Sequence, residues 1–504
     1  MPTPGSQAMC RMSPYPILMS GTRFAALGSL EKRDDGMTTQ STSGRAAANV
    51  VDALRRQIPA ERVVTEGPGY TAATALWNGA VSHRPAVVVR CAGTDDVQAG
   101  VRTAREHGLP LSVRGRGHDW AGRALRDGGL TLDMTGMRDV RIDAGRRIAQ
   151  VGGGAAANDL LAAAEPFGLA AATGTIGTVG VVGLTLGGGY GPLAGRAGLA
   201  ADNLVGAEVV LADGSAVRVD AENHPDLFWA LRGGGGNFGV VTSARIRLHA
   251  IPSVVTGVVI YPWAQAGQVF DGLGELLFTG PDELTVQSAV AAGPDGGPAV
   301  MLLPTWCGAP ELAGPDDGPL GALTRLGDPL AVQLEAMPLA TVVAGRDAMF
   351  PPGRHVIMRT RSVPGLTPPV GAALVEAGDA LPSAMSGLSI HHFHGAAARV
   401  PVADTAFAMR ERHLMAEVIA IWPGDADAGA AHLAWAESVS AALASHALPG
   451  GYANLLGPDD AEQIAHAYGA NTARLLAIKS AVDPDGVFSA TPLPEGDTGG
   501  DSTL

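Results

Sequence analysis

The turn that most constrains the fold runs from Val113 to Gly122, where glycines alternate with charged residues and His118 lies at the tip. Glycines in such a turn allow backbone N–H groups to crowd onto an anion. The spacing matches the dinucleotide-binding fingerprint only in part, because Trp120 stands where the third glycine belongs and no helical pattern opens at once. The sequence therefore disfavours an ordinary Rossmann domain.

A second glycine-rich stretch runs from Thr173 to Gly191, and a third cluster from Arg232 to Gly239. Together with the first turn, they resemble the flavoproteins of the vanillyl-alcohol oxidase superfamily, and most closely the berberine bridge enzyme-like oxidases. In that family, the histidine that ends an Arg-Gly-Gly-Gly-His turn is bonded covalently to the 8α-methyl group of FAD, and His118 occupies that position. The resemblance extends from about Arg84 to Arg247 and resumes from Tyr452 to Phe488.

The resemblance implies an FAD site built largely from backbone. Amides of glycine-rich turns can bind a diphosphate without a large net positive charge, although the same glycines also serve tight turns. The positions that the resemblance assigns to the cofactor are Arg114, Gly115, Arg116, Gly117, His118, Asp119, Gly174, Thr178, Val179, Gly180, Val181, Gly183, Gly188, Tyr190, Asn237, Val240, Val241, Tyr452 and Asn454.

The composition indicates a small-molecule ligand. The 504 residues contain 35 Lys and Arg against 49 Asp and Glu, a net charge of −14, which disfavours nucleic acid or an anionic membrane as partner. The sequence contains no run of about 18 apolar residues, so no membrane-spanning helix is predicted. Three scattered cysteines, Cys10, Cys91 and Cys307, do not form a disulfide framework or a zinc motif. With no leader-like segment in view, we expect a cytoplasmic protein without a resident metal.

Alternating strand and helix patterns predict an α+β fold. The resemblance implies a PCMH-type, two-lobed FAD-binding domain at 46–251 and a substrate domain at 252–448, an antiparallel sheet with helices on one face. Residues 449–494 are expected to return to the FAD domain as the berberine-bridge-like motif. Residues 1–45 read as a disordered extension, with Met37 as an alternative start, and 495–504 read as a tail.

Local signals predict the main elements. Thr94-Asp95-Asp96 is expected to cap a helix that ends at Gly108, and Asn223 to cap a helix from Asp226 to Leu231. Five strands are predicted in the substrate domain: Val254 to Tyr261, Leu284 to Val290, Val300 to Pro304, Leu388 to His394 and Glu417 to Trp422.

Two departures from the family pattern change the expected chemistry. Many relatives attach FAD a second time through a cysteine, and Ile176 stands at that position. An alkyl side chain forms no thioether, so we expect a single link through His118. Arg116 replaces the middle glycine of the turn, and its guanidinium can pair with the flavin phosphates, pair with a nearby carboxylate, or remain solvated.

The catalytic base is harder to assign. Relatives often carry a tyrosine directly after the Tyr-x-Asn of the closing motif, but here Leu455 follows Tyr452 and Asn454, which are expected to line the flavin pocket. In relatives, a strand ends in two small residues over the flavin, and the residue three before that pair can be acidic or phenolic. That position is His392, which is therefore the predicted base, with Tyr452 as the second candidate.

Strand alternation predicts that His392 and His394 share one face and that His391 and Phe393 share the other. Two alternatives for this cluster stay open: ordinary packed histidines, or a zinc site built on His-x-His.

The predicted function is a covalent FAD-dependent oxidase of a small organic molecule, such as a secondary metabolite or a sugar. The resemblance implies hydride transfer to flavin N5 and reoxidation by O₂ with release of H₂O₂. One alternative is reoxidation of a reduced quinone drug. Another is a flavoprotein that sequesters a ligand without turnover, which the absence of a tyrosine at Leu455 favours.

Overall fold

A run of buried valines forms the centre of the first sheet. The computed structural model describes residues 48–314, 318–424 and 426–495. Its first elements are α1 (48–55), β1 (Val63–Val64), α2 (Gly67–Thr74), β2 (Val87–Arg90), α3 (Thr94–Glu106), β3 (Leu111–Arg114) and β4 (Leu130–Asp133). The strands lie in the order β1-β2-β4-β3, with β4 parallel to both β2 and β3. The histidine turn leaves the sheet at the end of β3.

The second sheet is antiparallel and is centred on one long strand. Its elements are β5 (Val140–Asp143), β6 (Ile148–Gly152), α4 (Ala157–Ala164), β7 (Leu169–Ala171), α5 (Val181–Gly187), α6 (Ala194–Ala197), β8 (Leu204–Val210), β9 (Ala216–Val219), α7 (Pro225–Ala230) and β10 (Val240–Ala250). The order is β5-β6-β10-β8-β9, and β7 also pairs with β10.

The third sheet is antiparallel, in the order β14-β11-β13-β12-β16-β17-β15. Its strands are β11 (Val254–Pro262), β12 (Leu284–Ala292), β13 (Pro298–Trp306), β14 (Ala331–Met337), β15 (His355–Val363), β16 (Gly387–Phe393) and β17 (His413–Trp422). The helices of this part are α8 (Ala266–Thr279), α9 (Pro319–Thr324), α10 (Leu339–Arg346), α11 (Pro368–Asp379), α12 (Ala396–Arg399) and α13 (Ala426–Ala444).

One face of the third sheet packs on helices. Leu388, Ile390 and Val418 join Phe270 of α8 and Leu374 of α11 in one buried cluster. The opposite face of β16 and β17 is therefore left for other partners, and the five strands predicted for this region are all present.

The prediction missed β14 and β15. Strand β14 lies at the edge of the sheet and is largely exposed, so the apolar alternation that marks a half-buried strand is absent. In β15, Arg359 and Arg361 interrupt the apolar run.

Both predicted helix caps are wrong. Gly93 is the N-cap of α3, and the Thr94 hydroxyl donates instead to Glu208 Oε1 at 2.6 Å. His224 is the N-cap of α7, with a left-handed backbone, while Asn223 bonds to Asp220. In each case a side chain with a capping pattern has a stronger local or tertiary partner.

The last two helices are α14 (Ala461–His466) and α15 (Thr472–Val482). The segment that follows them, which contains Thr491, contacts the third glycine cluster. Asn237, fully buried, donates to the Thr491 carbonyl at 3.0 Å and accepts from the Thr491 amide at 3.0 Å. Lys479 donates to the Asn237 carbonyl at 2.8 Å. The segment around Thr491 is thereby bound to the loop that leads into β10.

The predicted extension at 1–45, and all of the predicted tail except Glu495, lie outside the described residues. Within the described ranges, no helix is long and apolar enough to cross a membrane.

Candidate active site

A cavity of about 380 Å³ is lined by residues of all three sheets and of the loops between them. Part of its wall is backbone, contributed by the glycines Gly115, Gly117, Gly153, Gly174, Gly180, Gly183, Gly236 and Gly239. We call these glycines, together with His118, the turn wall. A Cβ at Gly183 would meet no protein atom within 4 Å. Bare backbone beside open space lets a diphosphate or a flat ring approach closely, so this wall fits FAD.

His118 is held at the tip of the turn by a positive-φ glycine and an aromatic neighbour. Gly117 has a φ of +73°, a conformation that favours glycine. The His118 ring stacks on Trp77, with ring centroids 5.8 Å apart. Burial lowers the pKa of His118 to about 4. The imidazole is therefore neutral near pH 7 and keeps a lone pair on one nitrogen.

The turn is fastened to the segment that contains Tyr452. Arg123 pairs with Asp119, and its guanidinium also donates to the Asn454 carbonyl at 2.8 Å. The Trp120 indole donates to the Leu455 carbonyl at 2.9 Å. The closing motif therefore supports the histidine turn through its backbone, which identifies a structural role for this segment.

Tyr452 lines the cavity but stays protonated. Its hydroxyl accepts from the Gly189 amide at 3.0 Å and from Asn454 Nδ2 at 2.9 Å. Burial raises the pKa of Tyr452 to about 12. The phenol is thus a neutral member of the wall near pH 7.

The third sheet supplies the other part of the cavity. We call its lining residues the sheet wall: Gln287 of β12, Met358 of β15, Ser389 and His391 of β16, and Met415, Glu417 and Ile419 of β17. Successive side chains of a strand point to opposite faces, so alternate residues of β16 and β17 share this wall. Ser389 lies opposite Glu417 in the register, which brings the polar groups of the two strands together.

His391 is the histidine of this cluster that lines the large cavity. His391 Nε2 lies 3.2 Å from Glu417 Oε2 and 3.2 Å from Ser389 Oγ. The row continues, since Gln287 Nε2 donates to Ser389 Oγ at 2.8 Å. Glu417 was not identified from the sequence, because it is the first residue of a predicted strand and belongs to no motif. Its alternation with Met415 and Ile419 was the available signal.

The structure corrects the prediction for His392. The predicted faces are right: His392 stacks on His394 with ring centroids 3.7 Å apart, and His391 lies on the other side. However, His392 follows Leu388 and Ile390 on the face that packs on helices, and it lines a small adjoining cavity rather than the large one. Burial lowers the pKa of His392 well below its usual range. The packed-histidine alternative describes this residue better than a base over the flavin.

The zinc alternative has no support from neighbouring ligands. Within the described ranges, no group of three or more His, Cys, Asp or Glu residues could hold a metal ion. His394 instead lies 3.2 Å from the Thr285 hydroxyl.

Tyr190 connects the two walls. It lines the cavity, and its hydroxyl lies 2.7 Å from His413 Nε2, while His413 Nδ1 lies 2.7 Å from the Glu411 carbonyl. Because a carbonyl only accepts, Nδ1 carries the proton, and Tyr190 donates to Nε2. Burial lowers the pKa of His413 to about 4 and raises that of Tyr190 well above its usual value.

Most positions assigned to the cofactor line the cavity, namely Gly115, Arg116, Gly117, His118, Asp119, Gly174, Val179, Gly180, Gly183, Tyr190, Val240, Val241, Tyr452 and Asn454. The positions that do not are Arg114, Thr178, Val181, Gly188 and Asn237. Arg114 pairs with Asp133 at 3.0 Å, and the Thr178 amide donates to Asp347 at 3.0 Å. Arg114 and Thr178 thus each contact a carboxylate of the protein.

Two positions that depart from the family pattern also line the cavity. Ile176 presents an alkyl group, and Arg116 lies close enough to His118 to lower its pKa. Among the described residues, no carboxylate forms an ion pair with Arg116. Its guanidinium is thus available to an anion in the cavity.

Two family models match the chain. One, described as an FAD binding domain, matches residues 85–220, and the other, described as berberine and berberine like, matches residues 451–492. The first range contains the histidine turn and the second glycine-rich stretch, and the second contains Tyr452.

Known proteins match over longer ranges. The chain is 36% identical over 282 residues to the (R)-6-hydroxynicotine oxidase of Paenarthrobacter nicotinovorans, covering 55% of this chain and 61% of that protein. It is 30% identical over 440 residues to the FAD-linked oxidoreductase aurO of Gibberella zeae, covering 86% of each. The crystal structure of 6-hydroxy-D-nicotine oxidase from Arthrobacter nicotinovorans superposes with a TM-score of 0.76 at 28% identity, covering 86% of this chain and 97% of that one. These likenesses confirm the α+β fold predicted from the sequence.

Proposed function

The chain belongs to the berberine bridge enzyme-like family of FAD-linked oxidoreductases, and from that premise we propose that it is an oxidase of a small organic molecule with covalently held FAD. When bound, FAD supplies the acceptor for a hydride and returns two electrons to O₂, which yields H₂O₂. The observation that carries the proposal is one cavity with a neutral His118 on the turn wall and the His391–Glu417 pair on the sheet wall. We also propose 252–448 as the substrate domain, with 46–251 and 449–494 holding the cofactor.

His118 is proposed as the single attachment point. Its neutral imidazole offers a lone pair for the bond, and Ile176 offers no sulfur for a second one. Arg116 is proposed to face the negative charge of the cofactor, because no carboxylate of the described chain pairs with it. Backbone amides of the turn wall are proposed to bind the diphosphate.

The His391–Glu417 pair is proposed to take the proton that the substrate releases. With Nε2–H held by the Glu417 carboxylate, the His391 Nδ1 atom carries the lone pair. With FAD bound to accept the hydride, the substrate's O–H or N–H proton would move to His391 Nδ1 as the carbonyl or imine product formed. Glu417 stabilises the resulting imidazolium, as a carboxylate does in other histidine dyads. His392 is not proposed for this role, because it does not line the large cavity.

The apolar part of the cavity indicates the kind of substrate. Its side chains pack as one cluster, and those that line the cavity are Trp77, Phe350, Met358, Ile419 and Leu455. Such a surface binds the apolar body of an aromatic compound better than a sugar. It also suits a reduced quinone drug, which is the second candidate substrate.

A screen of small molecules against the flavin-loaded enzyme tests this function. We expect aromatic alcohols, amines or hydroquinones to release H₂O₂ in proportion to O₂ consumed. Compounds that bind and shift the flavin spectrum, while none is turned over, would favour a sequestering flavoprotein instead. Preferential turnover of oligosaccharides would contradict the reading of the apolar cluster.

A further inference from the structure

Arg346, the last residue of α10, lies beside the sheet wall without an acidic partner. It lines a small cavity that adjoins the large one, since both share Thr175, Tyr190, Gln287 and His391 in their walls. Its guanidinium donates to Gln287 Oε1 at 3.3 Å, a long bond to a neutral acceptor. Among the ion pairs of the described residues, none involves Arg346.

Two other shielded arginines of the protein are paired with carboxylates. Arg410 binds Asp202 through two bonds, at 2.7 and 3.0 Å, and Arg114 binds Asp133 at 3.0 Å. The neighbouring Asp347 does not pair with Arg346. Its carboxylate accepts hydrogen bonds from the Thr178 amide and from Asn158 Nδ2 instead. Shielding a cation without an anion is costly, so such a site is typical of one that awaits an anionic ligand.

The charge of Arg346 persists at neutral pH. Burial alone lowers its pKa, to about 10, and no nearby carboxylate opposes that shift. The guanidinium therefore stays protonated near pH 7. Its planar fork of N–H donors matches the two oxygens of a carboxylate.

Arg346 is also connected to the proposed proton acceptor. Arg346 donates to Gln287 Oε1, Gln287 Nε2 donates to Ser389 Oγ, and Ser389 Oγ lies 3.2 Å from His391 Nε2. An anion bound at Arg346 would therefore lie at the end of the polar row that reaches the His391–Glu417 pair. Binding there positions the rest of a substrate within the large cavity.

We propose that Arg346, with Gln287 and Thr175, forms a carboxylate subsite, so that the enzyme acts on aromatic or apolar acids. This inference rests on the proposed oxidase function and adds the substrate class to it. The remaining wall of the small cavity offers no second arginine or lysine, which fits a single carboxylate better than a phosphate dianion.

Binding of benzoate and benzamide to the flavin-loaded enzyme tests the subsite without requiring turnover. The two probes share the ring and differ in charge. Isothermal titration, with the flavin spectrum followed in parallel, should show benzoate binding at least about 10-fold more tightly than benzamide. R346Q should remove that preference, and R346K, which keeps the charge but loses the fork, should reduce it. R399Q, at an exposed arginine paired with Asp282, is the matched control and should keep it.

The outcomes separate the two proposals. If wild-type enzyme binds benzoate no better than benzamide, the subsite is wrong even if R346Q does not fold. If R346Q folds and keeps the preference, the subsite is also wrong. In both cases H₂O₂ release from neutral aromatic substrates would leave the oxidase proposal intact. Selective benzoate binding with no turnover of any compound would support the subsite and contradict the oxidase.

Discussion

The turn wall and the sheet wall of the cavity differ in which atoms face the cavity. The turn wall is largely backbone, contributed by glycines on loops and at the start of α5, together with His118. The sheet wall consists of side chains, which four strands of the third sheet contribute. The first can hold a ligand through amides, whereas the second can move a proton. Under the proposed function, substitutions in the turn wall should change retention of the cofactor, and substitutions in the sheet wall should change the rate of the reaction.

The sheet wall gives the largest expected effect. His391→Ala should slow anaerobic flavin reduction by on the order of 10²–10⁴, the usual contribution of a positioned general base. His392→Ala is the matched control, because its side chain follows Leu388 and Ile390 on the helix-packed face of β16 and lines the small cavity but not the large one. Stopped-flow absorbance of the flavin measures both. Equal rates of flavin reduction in the two variants, or a slower rate in His392→Ala, would contradict the assignment of His391 as the proton acceptor.

The turn wall should respond to pH through His118. Burial disfavours the charged imidazole and lowers its pKa from 6.5 to about 4, and only the neutral form can bond the flavin. Attachment of added FAD to apoprotein should therefore proceed evenly from about pH 8 to about pH 5. Below pH 4 its rate should fall by roughly tenfold per pH unit. Apoprotein held at each pH and returned to neutral pH controls for unfolding, and a midpoint near 6.5 would show that His118 is not shielded.

The two walls also differ in how far the sequence predicts them. The turn wall comes from short glycine-rich stretches that are each contiguous in sequence, so the motif around His118 and the second stretch, from Thr173 to Gly191, identified most of its residues. The sheet wall depends on which face of β16 meets the helices, and a change of one residue exchanges His391 for His392. That choice is set by packing of Leu388 and Ile390 in the core, which the local pattern does not specify. Glu417 and Arg346 come from distant elements and carry no motif.

A pair of glycine substitutions should give the smallest effect. The pair distinguishes a glycine whose backbone faces the proposed ligand from a glycine that is required by close packing of the protein. In α5, a Cβ at Gly183 meets no protein atom within 4 Å, whereas one at Gly191 would lie 1.7 Å from the Thr173 carbonyl oxygen. Gly183→Ala should stabilise apoprotein by up to about 1 kcal/mol through helix propensity, yet weaken FAD binding. Gly191→Ala should destabilise it by about 1–3 kcal/mol.

Urea unfolding of apoprotein and FAD titration measure the two quantities for the glycine pair. If Gly183→Ala binds FAD as tightly as wild type, the turn wall does not approach the cofactor at that point.

Peptide mapping of the flavin-loaded protein tests the central claim most directly. After acid precipitation and trypsin digestion, the account predicts that FAD remains on peptide 117–123, which contains His118, and on no cysteine peptide. His118→Ala should release its flavin to the supernatant. Free flavin from the wild-type protein, or a flavin adduct on any other peptide, would contradict the assignment of His118 as the single covalent link.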